Sequence, residues 1–328
     1  MDKLVSIILL NYNNHHHTIR CLKSLTNQNY KNFEIILLDN GSKYQLYKEL
    51  KKQLTQFDKL LDIKLDRIKP NLFFTAGANR AIKKTNGQYV CLLNNDVIVS
   101  NNFIEKMVEF LETHPKAGMI TPKIKFYDNK DIIWNAGSFL NFKKTIVVIN
   151  RGYLELDPNN QKYNEIEPIG FAPGTAVFIK KKVIDEIGLI DDIFMLYHED
   201  PDWNLRAHRK GYISYYVPTT IVYHNVPVGK RRSLVNFFFF KRNSQILTWK
   251  YAKLSEFLIF YYLFSFMNFF EILYYVFKRR KNITKIQLIA IIKGFKLGVR
   301  KRTHRSCKRQ ILQDYRYAKS IENLELFY

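Results

Sequence analysis

The first hundred residues alternate between two periodicities, and that alternation leaves few folds open to the chain. Residues 4–10, 33–38, 61–65 and 89–93 are short apolar runs of strand length, and residues 18–25, 43–57 and 75–84 between them have helical spacing. Strands alternating with helices predict a parallel sheet with helices on its faces. Such sheets bind ligands beyond the carboxyl ends of their strands, so the polar groups that end these runs carry the information. They are Asn11-Tyr12-Asn13, Asp39-Asn40-Gly41-Ser42 and Asn94-Asn95-Asp96. No G-x-G-x-x-G follows the first run and no G-x-x-x-x-G-K loop is present, which argues against a dinucleotide site and a phosphate loop. A divalent cation held by carboxylate and imidazole is the natural alternative for handling phosphate charge.

Further along, residues 100–113 predict a helix with Phe103, Ile104, Met107, Val108 and Leu111 on one side and Ser100 as its cap, ended by Pro115 and Gly118. Residues 117–164 look irregular, with Gly137, Gly152 and an Asp157-Pro158-Asn159-Asn160 turn. A strand is expected over 175–179, helices over 181–187 and 200–210, and two strands, 212–217 and 220–223, split by Pro218. Cys21, Cys91 and Cys307 lack any C-x-x-C spacing and read as reduced thiols of a cytosolic compartment. The apolar run at 4–10 is short and ends in Asn11-Tyr12-Asn13-Asn14, so it reads as a buried strand rather than a signal peptide.

Composition changes near residue 229, which divides the chain into an α/β domain, 1–229, and a basic, aromatic-rich helical region, 230–328. Between Lys230 and Arg316 there are 21 basic and 3 acidic side chains, a net +18 of the chain's +23. Residues 257–277 carry one charge, Glu271, and have Lys250 and Lys253 before them and Lys278-Arg279-Arg280-Lys281 after. That length is enough to span a bilayer. Tyr261, Ser265, Asn268, Glu271 and Tyr275, however, share one helical face, and a one-sided polar stripe fits a helix lying in the membrane interface. A true span and a helix packed on the protein's own core are the other two readings. The tail's aromatics cluster in one run instead of alternating with cations as a stacking groove would. An anionic membrane surface, rather than nucleic acid, is therefore the expected partner of the basic region.

Two carboxylate groups stand out. Asp96 follows a buried strand directly, and Tyr197-His198-Glu199-Asp200-Pro201-Asp202-Trp203 places three acids in four positions, a repulsive arrangement unless a cation or shared proton offsets it. Acidic capping of a helix with Pro201 in its first turn is the structural alternative. His224, after the strand at 220–223, is positioned to complete a metal site. His15-His16-His17 is not, because consecutive helical residues point about 100° apart and cannot share one ion. Trp134 and Tyr163, in the irregular middle, are aromatic residues able to stack on a flat ligand face, a residue type that also fills cores.

These segments, taken in order, resemble a known family. Ser6-Ile7-Ile8-Leu9-Leu10-Asn11-Tyr12-Asn13, Leu38-Asp39-Asn40-Gly41-Ser42, Leu92-Leu93-Asn94-Asn95-Asp96-Val97 and Tyr197-His198-Glu199-Asp200-Pro201-Asp202-Trp203-Asn204-Leu205-Arg206 are similar to the motifs of family-2 inverting glycosyltransferases with a GT-A fold, above all the rhamnosyltransferase-like branch that builds surface polysaccharides. The resemblance runs over about residues 3–245 and takes in Gly174-Thr175-Ala176, Gly188-Leu189-Ile190-Asp191 and Arg242-Asn243.

The resemblance implies a GT-A mixed sheet flanked by helices and a set of roles. Asp39 would hydrogen-bond the nucleobase, with Asn11, Tyr12, Asn71 and Asn95 binding the rest of the donor. Asp96 would be the last acid of a D-x-D motif and hold Mg²⁺ or Mn²⁺ with His224. Asp200 would be the general base, supported by Glu199. The implied donor is a dTDP- or UDP-sugar, with rhamnose the leading sugar; the implied acceptor is a saccharide or lipid-linked saccharide, at the cytoplasmic face of the cell membrane. Two departures bear on the metal. Asn94 stands where D-x-D has its first acid, and Lys230-Arg231-Arg232 stands where relatives carry a Gly- and Ser-rich loop, offering cations to a diphosphate. A nucleic-acid-binding protein, a sugar nucleotidyltransferase and an inactive scaffold on the same fold are the competing readings. The nucleotidyltransferase lacks its Gly-rich loop after the first strand, since Asn11–Asn14 contains no glycine.

Overall fold

The computed structural model describes residues 3–228, 233–303 and 307–322. Its first part is a repeating strand–helix unit: β1 (Val5–Asn11), α1 (His15–Leu25), β2 (Phe33–Asn40), α2 (Tyr44–Leu54), β3 (Ile63–Ile68), α3 (Phe73–Ile82) and β4 (Tyr89–Asn94). The four strands are parallel in the order β4-β1-β2-β3. The apolar runs of β1, β2 and β4 are continuous because both faces are covered, whereas the edge strand β3 alternates and is only partly buried. Ile7, Leu9, Ile35 and Leu37 point into one buried cluster, and Ile8, Ile36, Val90 and Leu92 point into the other.

The chain then changes pattern: β5 (Val97–Val99), α4 (Phe103–Thr113), β6 (Ala117–Phe126), β7 (Ile133–Asn135), β8 (Ser138–Leu140), β9 (Val148–Asn150), β10 (Glu167–Ile169), β11 (Ala176–Lys180), α5 (Lys181–Ile187), α6 (Glu199–Arg209) and β12 (Ile213–His224). β11 enters antiparallel to both β4 and β6, and the sheet continues through β12 to β10. The result is a mixed sheet flanked by helices.

Three local expectations change. Residues 117–126 are not irregular but form β6, buried along its whole length. Its Lys123 and Lys125 disguised it in the sequence; both are buried and paired with Asp157, at 3.2 and 3.7 Å. Pro218 does not split a strand in two, because β12 runs unbroken past it and absorbs it in a register shift between Tyr216 and Ile221. Ser100 does not cap α4; its hydroxyl donates to the Ile221 carbonyl, and the helix starts at Phe103.

Two compact units result. One comprises Met1–Phe139, Asn150–Ile190 and Asp200–Val228, and the other Leu140–Ile149, Asp191–Glu199 and Gly229–Tyr328. Within the described residues the second unit holds α7 (Leu234–Tyr251), α8 (Leu254–Phe277), α9 (Lys281–Arg302) and α10 (Lys308–Glu322). Its centre is the α7–α9 pair. A Cβ on Gly294 would lie 2.6 Å from the Arg242 carbonyl oxygen, and one on Gly298 would lie 2.0 Å from Trp249, so the two backbones approach only because both positions are glycine. Fully buried Arg242 is held by Asp314 of α10 at 2.6 Å, and Lys293 of α9 joins the same carboxylate.

Asp157 is the counter-charge for two buried ammonium groups, so its removal leaves both uncompensated. Asp157→Ala should destabilise the protein by ~3–5 kcal/mol, read as a large fall in denaturation midpoint, while substitution of exposed Asp58 changes it little.

Candidate active site

The register of the parallel strands brings the predicted polar ends together. Asn11 lies opposite Asp39 across β1 and β2, and its amide donates to the Asp39 carboxylate at 2.9 Å. The same amide reaches Ser42 Oγ at 3.2 Å, and Ser42 Oγ also accepts from the Asn13 backbone N–H. Thr18 Oγ1 donates to Asn11 Oδ1 and accepts from the Asn95 amide at 2.8 Å. One network therefore joins the ends of β1, β2 and β4. Asp39 is fully buried, and Arg67 Nε, from the end of β3, stands 3.2 Å from its carboxylate. The Arg67 guanidinium lies 4.1 Å from the Tyr47 ring centre and 5.3 Å from that of Tyr44, which fixes it. Tyr12 is exposed at the edge of this network.

Asn71 is set beside β2 by a close backbone approach. Gly41 has φ +87°, and a Cβ there would lie 2.4 Å from the Asn71 nitrogen, so the 70–71 backbone passes directly over it. Asn40 clamps the same loop, accepting from Leu72 N–H at 3.1 Å and donating to the Phe73 carbonyl at 2.8 Å. Asn71 itself is buried and accepts from the Phe73 N–H.

Asp96 and His224 meet because β5 pairs antiparallel with the end of β12, setting His224 opposite Val97. His224 Nε2 lies 3.2 Å from Asp96 Oδ1, and the Asn225 N–H donates to the Asp96 carbonyl. Burial alone would raise the Asp96 carboxyl, but the hydrogen bond and charge of His224, with a contribution from His17, hold it below the usual carboxylate range. Trp134, a candidate for acceptor stacking, instead sets its ring edge-to-face on His224 with centroids 4.7 Å apart. Tyr163 donates to Glu155 and lies beneath the Arg151 guanidinium. The His224 Nδ1 atom is buried and has no hydrogen-bond partner among the described residues. Among those residues there is also no cluster of three or more His, Cys, Asp or Glu able to hold a metal, so Asp96 and His224 offer a cation two ligands. Lys230, Arg231 and Arg232 lie outside the described residues.

Asp200 sits in the first turn of α6. Its Oδ2 accepts from the Gly174 N–H at 3.1 Å, and Gly174-Thr175 leads into β11, where the Thr175 carbonyl accepts from the Asn94 N–H. Asp200 thus reaches the end of β4 through one short stretch of chain. Burial pushes its carboxyl up to about 6, outweighing the Gly174 hydrogen bond. The other acids of the run differ. Asp202 is fully buried and paired with Arg206 at 3.1 Å, and Arg206 also donates to the Ile187 and Leu189 carbonyls beyond α5. Glu199 is buried at the first position of α6.

The second unit orders the segment that leads into this acidic run. Met195, Tyr197 and His198 all have positive φ, at 58°, 67° and 66°, a costly conformation for side-chain-bearing residues. The buried Asn243 amide nitrogen lies 2.8 Å from the carbonyl oxygens of Phe194, Leu196 and Tyr197, and Ser244 Oγ meets His198 Nε2 at 3.1 Å. The sequence carried Arg242-Asn243 as a motif without its task. Thr18 and Arg67 were also missed: Thr18 lies inside α1, and Arg67 stands at the end of β3, past the apolar run at 61–65.

A mixed sheet with these strand ends gathered on its carboxyl rim is a GT-A-type fold. The family profile described as Glycosyl transferase family 2 matches residues 6–188, and the chain belongs to that family. A Mycobacterium tuberculosis N-acetylglucosaminyl-diphospho-decaprenol L-rhamnosyltransferase is 21% identical over 69% of this chain and 77% of its own length. An uncharacterized glycosyltransferase of Haemophilus influenzae is 33% identical over 33% of each chain. The chain spans only 15% to 42% of the length of three such relatives from Rickettsia bellii and Haemophilus influenzae. Among solved structures, the mannosyltransferase PcManGT of Pyrobaculum calidifontis, in complex with GDP-Man and Mn²⁺, superposes with a TM-score of 0.57 at 11% identity, covering 92% of this chain and 88% of that one.

Asn243→Leu keeps the bulk of the side chain but removes the amide from three carbonyls. We expect ~1–3 kcal/mol of lost stability and faster hydrogen exchange in peptides covering residues 194–198, with exchange in β1 and β2 unchanged.

Proposed function

We propose that this glycosyltransferase moves a sugar from a nucleoside-diphosphate donor to an acceptor hydroxyl in one in-line displacement with inversion, and that Asp200 is the base. The observation that carries the reading is the placement of Asp200. It is a carboxylate with a raised pKa, hydrogen-bonded to Gly174 and connected by a single stretch of chain to the strand that ends in Asn94-Asn95-Asp96. A sugar hydroxyl is a poor nucleophile, so its proton must leave as it attacks. The Asp200 carboxylate takes that proton, the hydroxyl oxygen bonds to the anomeric carbon, and the bond to the diphosphate oxygen breaks, with its electron pair leaving on the nucleoside diphosphate. Desolvation strengthens the base by bringing its pKa close to the operating pH.

The donor is held by the network around Asp39. Asp39 and Asn11 face the nucleoside, Tyr12 and Asn71 border it, and Asn95 fixes the turn toward Asp96. Asp96 and His224 fit a divalent ion: they are adjacent, one is a carboxylate held ionised, and the other is a buried imidazole whose Nδ1 has no hydrogen-bond partner among the described residues. Mg²⁺ or Mn²⁺ bound there supplies charge to offset the leaving diphosphate. With Asn94 in place of a second acid, Asp96 and His224 are the residues that would hold the ion. The Mn²⁺ in the similar mannosyltransferase structure supports a divalent ion. The name of the mycobacterial relative supports L-rhamnose as the sugar and a lipid-linked saccharide as the acceptor, and the family resemblance implies a dTDP or UDP carrier.

The test is a panel of nucleotide sugars with and without Mn²⁺, read as transfer and as donor hydrolysis; no turnover or stabilisation with any donor defeats the reading. Asp200→Asn should lower kcat by about a thousandfold or more while donor affinity stays within a few-fold of wild type. The sign of the pH effect is fixed by the raised pKa. The base is protonated below about pH 6, so the rate falls on acidification through that value rather than near 4. Because folding raises this pKa, the ionised group costs stability above pH 6, and Asp200→Asn should melt higher than wild type at neutral pH.

A further inference from the structure

The second unit carries an apolar surface that the transfer reaction does not use. α8 is 24 residues long, and only 17% of its most apolar stretch is buried. Leu258, Tyr262, Phe266, Phe269, Leu273 and Phe277 follow at helical spacing and are all exposed, Tyr262 by 72% and Phe277 by 82%. The polar stripe points the other way. Asn268 is buried, Gln287 of α9 donates to Asn268 and Glu271 at 2.8 and 2.7 Å, and Lys241 of α7 pairs with Glu271 at 2.6 Å. Apart from exposed Ser265 the stripe meets the unit's own interior, and the outer face of α8 is the apolar one.

α9 decides how that face can meet a bilayer. It runs back along α8, since Gln287 meets Asn268 and Phe295 meets Tyr261. Its sequence, KNITKIQLIAIIKGFKLGVRKR, holds seven Lys or Arg and no acid. Were α8 to cross a membrane, α9 would be drawn into the hydrocarbon with it, at a cost for every cation. α9 nonetheless adds to the same kind of surface. Leu288, Ile292 and Phe295 are exposed at spacings of four and three, with exposed Lys285 and Lys296 beside them. The 140–149 loop, touching α8 through Thr145 and Met267, exposes Lys143, Lys144 and Ile146. Exposed Lys253 and Lys278-Arg279-Arg280-Lys281 stand at the two ends of α8.

We propose that the outer face of α8 and α9 is a docking surface for an anionic lipid bilayer, with α8 lying in the plane of the interface and its rings entering the acyl boundary. Rings of Phe, Tyr and Leu bordered by Lys and Arg complement a negatively charged lipid surface in both polarity and charge. The inference stands independently of the sugar donor and acceptor.

The test is flotation of the full chain with vesicles of phosphatidylcholine alone or mixed with phosphatidylglycerol. Binding should favour the mixed vesicles at least tenfold, weaken with salt and be released by alkaline carbonate. Tyr262→Glu combined with Phe266→Glu should reduce it tenfold or more, and Lys285→Glu combined with Lys296→Glu should abolish the lipid preference, with donor hydrolysis retained in both. A Phe270→Trp reporter, which removes nothing from the core, should be quenched by lipids brominated along the acyl chain. The proposal is overturned by carbonate-resistant association, by equal binding of the charge-reversed variant, by tighter binding to duplex DNA than to the mixed vesicles, by an unquenched reporter, or by a stable dimer that covers the face in solution.

Discussion

The hydrogen bond between Asn11 and Asp39 is the interaction on which the donor end of the site rests. Both residues are buried at the ends of adjacent parallel strands, and a carboxylate there is tolerable only if its lone pairs are engaged. Asn11 supplies one donor, Arg67 supplies the counter-charge, and Ser42 and Thr18 take up the remaining capacity of the amide. The sheet register does the rest: a slip of one residue would turn Asp39 into an apolar cluster and Leu38 onto the rim. Strand pairing and site chemistry are therefore one specification.

The two carboxylates assigned to chemistry have opposite electrostatic surroundings, although both follow from where the chain turns. Asp96 is beside an imidazole and is held ionised, as a cation ligand must be. Asp200 accepts from the backbone N–H of Gly174, and desolvation raises it, as suits a proton acceptor. Asp202, two residues on, is removed from the chemistry by Arg206. Three acids in four positions thus divide into a structural ion pair, a buried neighbour and the proposed base, and the repulsion that looked costly in sequence is spread over different surroundings.

Much of this was legible because parallel sheets write themselves plainly. β1 to β4, the crossover helices and α5 follow from uninterrupted apolar runs and helical spacing, and the strand ends identified Asn11, Asp39, Asn95 and Asp96 as neighbours. What stayed hidden depended on partners distant in sequence. β6 carries two lysines whose counter-ion is Asp157, more than thirty residues away. β12 absorbs Pro218 in a bulge because β6 on one side and β5 on the other keep it aligned. Asn243 meets three carbonyls of a segment, nearly fifty positions earlier, that contains three left-handed residues, and no local pattern announces that.

The polar stripe of α8 shows where periodicity stops informing. A helical spacing of Asn268, Glu271 and Tyr275 reports that one face is polar, and water, headgroups and protein are all able to satisfy a polar face. Asn268 and Glu271 of the stripe are engaged by Gln287 and Lys241, which themselves stand on helices rich in apolar residues. Once those groups are engaged inside the unit, turning α8 outward would leave Asn268, Gln287 and Glu271 to find new partners, at a cost of ~1–3 kcal/mol for each buried group left unmade. The aromatic face has no comparable demand, because its only requirement is removal from water. The inward direction of the stripe is thus set by the hydrogen-bonding groups, and the exposure of the rings is its consequence.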